Sequence, residues 1–392
     1  MKPLLEHISI ERMADDLWRL VNVPSPTGNE REAALLFAEL LAKAGAKVEI
    51  DERIYSSPNI IGRLKGNRPG KTVQLAGHID HIDVPHAPPT RTAQEISARG
   101  VSDMKSGLVG ILEIVRLLKS LGSDFPGELL VTVYGLHEAP VGQAEGLRNM
   151  IEDGVIGDAA IVVESIHPFR DKAVVQGKGQ SIWDITVRRG GEVCHELNRN
   201  PEMDGLLNTA LAVQDRLLVW ADELAASGDG GYMLGSPSLF IGQIHYGDFY
   251  NRVPISYHIQ GTRRWLPDQS FIQVQADLAG VVESVSCAEG ISVEISWTFV
   301  GEAYAMDPQE SIVRHFRTAY RQLTGREMEV AGVTAVVDGA RLVPWGDVPT
   351  ILCAFDNRCA HADQEVVTLE NLRQPCKLTL LTVLNYLAEK DE

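Results

Sequence analysis

A chain of 392 residues, 44% hydrophobic and 23% charged, has room for two or three domains and the make-up of a globular protein, not of a fibre or a disordered tail. A net charge of −17 speaks against nucleic acid and anionic membranes as partners, and no apolar run reaches the roughly 18–20 residues of a membrane span. Five cysteines without a C-x-x-C pair argue against a disulfide framework and a thiolate zinc site, and fit a reducing compartment.

The opening stretch, MKPLLEHISIERMADDLWRL, reads as an amphipathic helix and lacks the basic and apolar regions of a signal peptide, so a cytoplasmic location is expected. PSPTGNEREAALLFAELLAKAGAKVEI predicts a Pro/Gly turn, a helix beginning near Asn29 and a stop at Gly45. TVQLAGHI is a short apolar run suited to a buried strand. DMKSGLVGILEIVRLLKSLG predicts a turn and a long helix ending at Gly122, and ELLVTVYGLHE and DAAIVVES are further buried-strand candidates. Strand and helix alternating in this way predict an α/β layered domain with a mainly parallel sheet.

The pattern changes near Gly177. SIWDITVRRGG, SLFIGQIHYGD, VPISYHIQGTRRWL and ISVEISWTFV alternate like half-exposed strands, while MDGLLNTALAVQDRLLVWADEL and FIQVQADLAGVVESVSC read as helices. Two helices on one face of a small antiparallel sheet make an α+β, ferredoxin-like module over 177–301. ESIVRHFRTAYRQLTG, VPTILCAF and TLENLRQPCKLTLLTVLNYLAE then resume helix, strand and helix. The expected organisation is one α/β domain, 1–176 and 302–392, interrupted by that insert.

Metal-type and acid/base side chains recur at the C-terminal ends of the predicted strands, where open α/β sheets bind ligands. They are His78 and Asp80 after TVQLAG, Asp103, Glu138, Glu164 and His361. Taken singly, each is more simply a solvated loop residue or, for Asp103, a helix cap. Taken together, several ionisable groups at one sheet edge need a neutralising charge, and a divalent cation supplies it. Imidazoles with carboxylates suit zinc, with manganese or cobalt as alternatives. Trp183, Trp220 and Trp265 read as packing, and no glycine-rich phosphate loop follows a first strand.

GHIDHIDV, DMKSG, HEAPVG, VVES and AHADQEVV, in this order and with an insert between the fourth and fifth, resemble the aminoacylase, acetylornithine deacetylase and succinyl-diaminopimelate desuccinylase family of metallohydrolases. The resemblance implies that His78, Asp103 and Glu164 hold one metal, that Asp103 bridges to a second held by His361, and that Asp80 orients His78. It implies Glu138 as the general base. In the insert it implies that His195, Asn251 and Arg264 meet a small-molecule substrate, and that the insert is a lid through which two chains dimerise. The expected reaction is hydrolysis of an amide C–N bond in a small carboxylate-bearing molecule such as an N-acyl amino acid.

The chain departs from that family where two adjacent glutamates are usual. HEAPVG, aligned on its glycine, leaves Glu138 as base and puts Ala139 at a ligand position, so one metal position is expected to be weak or empty unless His137 or His81 substitutes. Two other functions stay open: hydrolytic deamination of an aromatic amine, as in 5-nitroanthranilate aminohydrolase of the same family, and an inactive member serving as a binding protein.

Overall fold

The structure, a computed structural model, describes residues 2–122, 124–164, 171–355 and 359–389. The N-terminal stretch is not one helix. Ser9 has extended backbone and its hydroxyl accepts a hydrogen bond from the Arg12 N–H, so a short helix Lys2–Glu6 stops and α1 (Ile10–Val21) starts afresh. Met13, Leu17, Leu20 and Val21 give α1 one buried stripe. Helix α2 (Arg31–Ala44) ends at Gly45, whose φ of 112° is a left-handed cap that only glycine adopts freely.

Strands β1 (Lys47–Asp51), β2 (Asn59–Lys65) and β3 (Arg68–His78) follow, then helix α3 (Ser106–Ser120), β4 (Pro126–Tyr134) and β5 (Ala159–Val162). The second part of the chain supplies β6 (Gly179–Arg189), α4 (Asp204–Ala226), β7 (Ser238–Tyr246), β8 (Ser256–Trp265), α5 (Phe271–Glu283) and β9 (Ile291–Gly301). Last come α6 (Gly339–Gly346), β10 (Thr350–Leu352) and α7 (Arg373–Leu387).

Two compact units emerge. One comprises 1–175, 306–331 and 337–392; the other comprises 176–305 and 332–336. The first is built on a six-stranded sheet in the order β1-β2-β4-β3-β5-β10. Strands β4, β3, β5 and β10 run parallel, and β1 and β2 add an antiparallel edge. Val73 to His78, Leu129 to Tyr134 and all of β5 are buried. Burial from both faces is why these segments read as unbroken apolar runs. The α/β class with a mainly parallel sheet is therefore as expected, and the β1–β2 edge is an addition. The register pairs His78 with Tyr134, so β3 and β4 end side by side and release their next residues at the same edge.

The second unit has an antiparallel sheet in the order β7-β8-β6-β9, with α4 and α5 packed against it. Helix α4 turns Leu206, Ala210, Val213, Leu217, Trp220 and Leu224 inward at steps of three and four. Strand β8 alternates, so Arg263 and Arg264 take opposite faces. The buried one is Arg263, at 0% exposure, with its guanidinium over the Trp220 ring; neither its Nε nor its Nη2 has a hydrogen-bond partner among the described residues. Burial pushes its pKa down to about 10. A desolvated cation without full pairing costs stability, so Arg263→Met is expected to raise the unfolding free energy by about 1–2 kcal/mol, read from urea denaturation. An unchanged or lower value means that the stacking on Trp220 outweighs the desolvation.

Candidate metal centre

The site forms in the first unit, where the parallel strands stop. β3 delivers His78 at its last residue and the chain leaves through Asp80, both fully buried. The His78 Nδ1 lies 3.2 Å from the Asp80 main-chain oxygen and 3.5 Å from its Oδ1, which turns Nε2 toward Asp103 Oδ1 at 3.1 Å. Asp103 does not cap α3. It sits in the tight turn Val101–Lys105 just ahead of it, and the helix begins at Ser106 without a side-chain cap. The opposite oxygen of Asp103, Oδ2, is 3.3 Å from His361 Nε2. That nitrogen is also 2.9 Å from Glu138 Oε1.

Asp80 organises the turn after β4. Its Oδ2 accepts from Thr27 Oγ1 at 3.0 Å and from the N–H groups of His137 and Glu138, each at 2.9 Å. Glu30 works beside it: Oε1 accepts from Gly28 N at 2.7 Å and Leu136 N at 2.9 Å. Gly135 is required there, since a Cβ would stand 2.4 Å from Ser57 Oγ and 2.8 Å from the Glu30 carboxylate. Leu136 (φ 55°) and His361 (φ 62°) both hold left-handed backbone that branched or bulky residues adopt at a cost, a form of strain that gathers at functional sites.

The ligand-type atoms of His78, Asp103 and Glu138 lie within 4.8 Å of one another, and so do those of His78, His137 and Glu164. Burial and the Asp103 charge raise the Glu164 carboxyl to about 7, and its Oε2 has no hydrogen-bond partner among the described residues. His361, hydrogen-bonded to Asp103 and Glu138, is raised to about 10. Burial opposes a proton on His78 and opposes charge on Asp103; pairing with Asp103 and Asp80 nonetheless lifts His78, and pairing with His361 and His78 lowers Asp103. The protons that balance this cluster are what a divalent cation displaces, so the donor set and the orphaned Glu164 oxygen fit a bound metal.

His81 is committed elsewhere: Nε2 accepts from Ser25 N at 3.1 Å, and Nδ1 faces Ile82 O at 2.9 Å. His81, the first residue of the second H-x-D in GHIDHIDV, therefore fastens the 25–27 segment to the end of β3. His137 lies over His78, with ring centroids 4.1 Å apart and planes inclined by 4°. Its Nε2 is 3.0 Å from Asp338 Oδ1, and its buried Nδ1 has no hydrogen-bond partner among the described residues. Tyr134 OH donates to Asp338 Oδ2, and Arg341 Nη1 is 3.4 Å from Oδ1. The expectation of a catalytic role did not extend to Tyr134, Thr27 or Asp338.

In the second unit His195, at the end of a two-residue strand paired with Arg252–Val253, has its Nε2 3.1 Å from Nδ2 of Asn251, and Arg264 Nη1 donates to Thr334 O at 2.8 Å. No helix among the described residues is long and apolar enough to cross a membrane.

A sheet edge that gathers three imidazoles (His78, His137, His361) and three carboxylates (Asp103, Glu138, Glu164) carries the donor set of a metal-dependent hydrolase. The chain belongs to peptidase family M20/M25/M40, whose profile matches residues 74–385. It is 25% identical to N-formyl-4-amino-5-aminomethyl-2-methylpyrimidine deformylase of Halalkalibacterium halodurans, over 98% of this chain and 96% of that protein. It is 28% identical to succinyl-diaminopimelate desuccinylase of Methylobacterium nodulans over 50% of this chain and 53% of the other. In fold it is similar to aminopeptidase PepT of Bacillus cereus, with a TM-score of 0.78 and 18% identity over 97% of this chain and all of that one. The protein is thus a hydrolase of C–N bonds, in agreement with the family resemblance of its motifs.

Proposed function

We propose that the protein cleaves the amide bond of a small N-acyl compound. The observation that carries this is the convergence of His78, Asp103, Glu138, Glu164 and His361 at one strand edge. A divalent ion, when bound, polarises the acyl oxygen and makes water acidic enough to attack near neutral pH. Zinc fits the mixed imidazole and carboxylate donors, with manganese and cobalt as alternatives. His78, Asp103 and Glu164 would hold one ion, and Asp103 would reach a second with His361. Asp80 fixes His78 and the 137–138 turn; a group on that turn carries the proton from water to the leaving nitrogen.

His195, Asn251 and Arg264 are assigned to the acyl oxygen and to a substrate carboxylate. Their support is the family resemblance and, for Arg264, a guanidinium suited to bidentate carboxylate binding. A second copy of the chain is assigned to the second unit. Phe240 and Ile244 are 63% and 45% exposed on β7, which is the outer strand of its sheet, and Leu218 is 49% exposed on α4. Five free cysteines support a cytoplasmic location.

The test is a panel of N-formyl, N-acetyl and N-succinyl amines and amino acids, with aryl amines beside them, assayed after chelation and after readdition of zinc, manganese or cobalt. Release of amine from at least one acyl compound, lost on chelation and restored by metal, is expected. Ammonia from an aryl amine alone would replace this reading with the deaminase one. No turnover by a fully loaded protein would favour a binding role.

A further inference from the structure

We propose that His137, clamped by Asp338, is the group that takes the proton from the attacking water, and that Glu138 is a metal ligand completing the His361 position. This rests on the metal-dependent amide hydrolysis proposed above and assigns the division of labour within that site.

Glu138 is placed as a ligand would be. Its Oε1, His361 Nε2 and Asp103 Oδ2 come from three separate segments, with His361 Nε2 at 2.9 Å from the first and 3.3 Å from the last. Ligands bound at about 2.0–2.1 Å in tetrahedral array lie about 3.3 Å apart. Glu138 thus stands where a third ligand belongs, and Ala139 leaves no gap.

His137 cannot share the ion of His78, although its donor atoms are near enough. An imidazole lone pair lies in the ring plane, so a bound metal lies in that plane too. Two rings stacked 4.1 Å apart and 4° from parallel have no common point on both planes to offer one ion. What His137 does offer is a fixed tautomer. A carboxylate only accepts hydrogen bonds, so the pairing with Asp338 Oδ1 places the ring proton on Nε2. Tyr134 and Arg341 hold Asp338 in turn. In the neutral ring Nδ1 then carries the lone pair; it is buried and without a hydrogen-bond partner among the described residues, and His137 contributes one ring nitrogen to the donor cluster with His78 and Glu164. A base oriented by a carboxylate through its other nitrogen is the arrangement of a proton acceptor.

The step balances. The water oxygen forms a bond to the acyl carbon while its proton passes to His137 Nδ1. The C–N bond then breaks as that proton passes to the leaving nitrogen, giving a carboxylic acid and an amine that exchange one further proton in solution.

The experiment compares the wild-type chain, His137→Gln, Asp338→Asn and Glu138→Gln, all loaded with zinc. Metal per chain is measured by mass spectrometry, and kcat and KM are measured on the best substrate of the acyl panel. Circular dichroism selects the folded variants. His137→Gln is expected to keep the wild-type metal content, to lose about 10²–10⁴-fold in kcat and to hold KM within a few-fold. Asp338→Asn follows the same pattern more mildly and serves if His137→Gln does not fold. Glu138→Gln is expected to lose about one metal equivalent. Loss of metal from His137→Gln, unimpaired kcat in it, or full metal retention with abolished kcat in Glu138→Gln would overturn the proposal. A wild-type chain that binds no metal overturns the underlying reading instead, before any variant is compared.

Discussion

Replacing Asp103 with alanine is expected to remove metal from both positions at once and to lower turnover by at least about 10³-fold, more than the loss of one oriented donor. The two oxygens of Asp103 face different imidazoles, His78 at 3.1 Å and His361 at 3.3 Å, which is the placement a carboxylate shared by two metal positions would need. His361→Ala, by contrast, should empty only one side. The separating measurement is metal content alongside the rise in melting temperature when zinc is added. The wild type gains stability by mass action on the folded state, His361→Ala keeps part of the gain, and Asp103→Ala keeps almost none. Equal metal content in the two variants would mean that Asp103 does not bridge. An unaltered zinc-induced shift in Asp103→Ala would remove it from the centre altogether.

The placement of Asp103 also shows what a sequence can and cannot display. Its neighbourhood, a turn ahead of a long apolar helix, is visible in DMKSGLVGILEIV. That its carboxylate turns away from the helix is not, because capping and ligation demand the same residue type at the same place. The strand ends were legible for a physical reason: a strand buried on both faces must be uniformly apolar, so the first ionisable residue after TVQLAG or IVV marks where the sheet edge begins. Strands β1 and β2 were harder to see. Only Asn59 to Ile61, Gly62 and Leu64 of β2 are buried, and β1 has no buried residue, so neither displays a long apolar run.

The partnership of His137 with Asp338 was invisible for a different reason. It joins residues 201 positions apart, and nothing local to HEAPVG distinguishes an imidazole that stacks on His78 from one that points at solvent. The adjacent glutamate posed a problem of register: alignment on Gly142 made Ala139 the ligand position, whereas the pairing of Glu138 with His361 depends on how the left-handed Leu136 aims the turn. His81 was ambiguous in sequence, and in the structure both its ring nitrogens face main-chain groups, of Ser25 and Ile82.

Asp80→Ala is expected to cost both metal affinity and the fold around it, although the Asp80 carboxylate is not itself assigned as a ligand. That carboxylate is fully buried and accepts three hydrogen bonds on Oδ2, two of them from the N–H groups that set the 137–138 turn. Burial alone would raise its pKa; His78, His137 and the Glu138 N–H bring the net direction below the usual carboxylate range. A group held low in this way contributes stability above its unfolded pKa near 4, and that contribution fades as pH falls toward the depressed value. Removing the side chain strands the N–H donors of His137 and Glu138, leaves the Thr27 hydroxyl with only the His81 main-chain oxygen at 3.3 Å, and deprives His78 of a neighbouring negative charge. Breaking a buried network from one side costs about 3–5 kcal/mol, and an outer carboxylate behind a ligating histidine is worth about 10–100-fold in metal affinity. Urea denaturation of the metal-free protein reads the first effect, and zinc competition against a chelating dye reads the second. Asp80→Asn divides them, since its amide oxygen can still accept from the turn while the charge is gone. Recovered stability with weakened zinc binding would assign the turn to the hydrogen bonds and the metal to the charge, whereas wild-type zinc affinity in both variants would mean that His78 is oriented by the Asp80 main-chain oxygen alone.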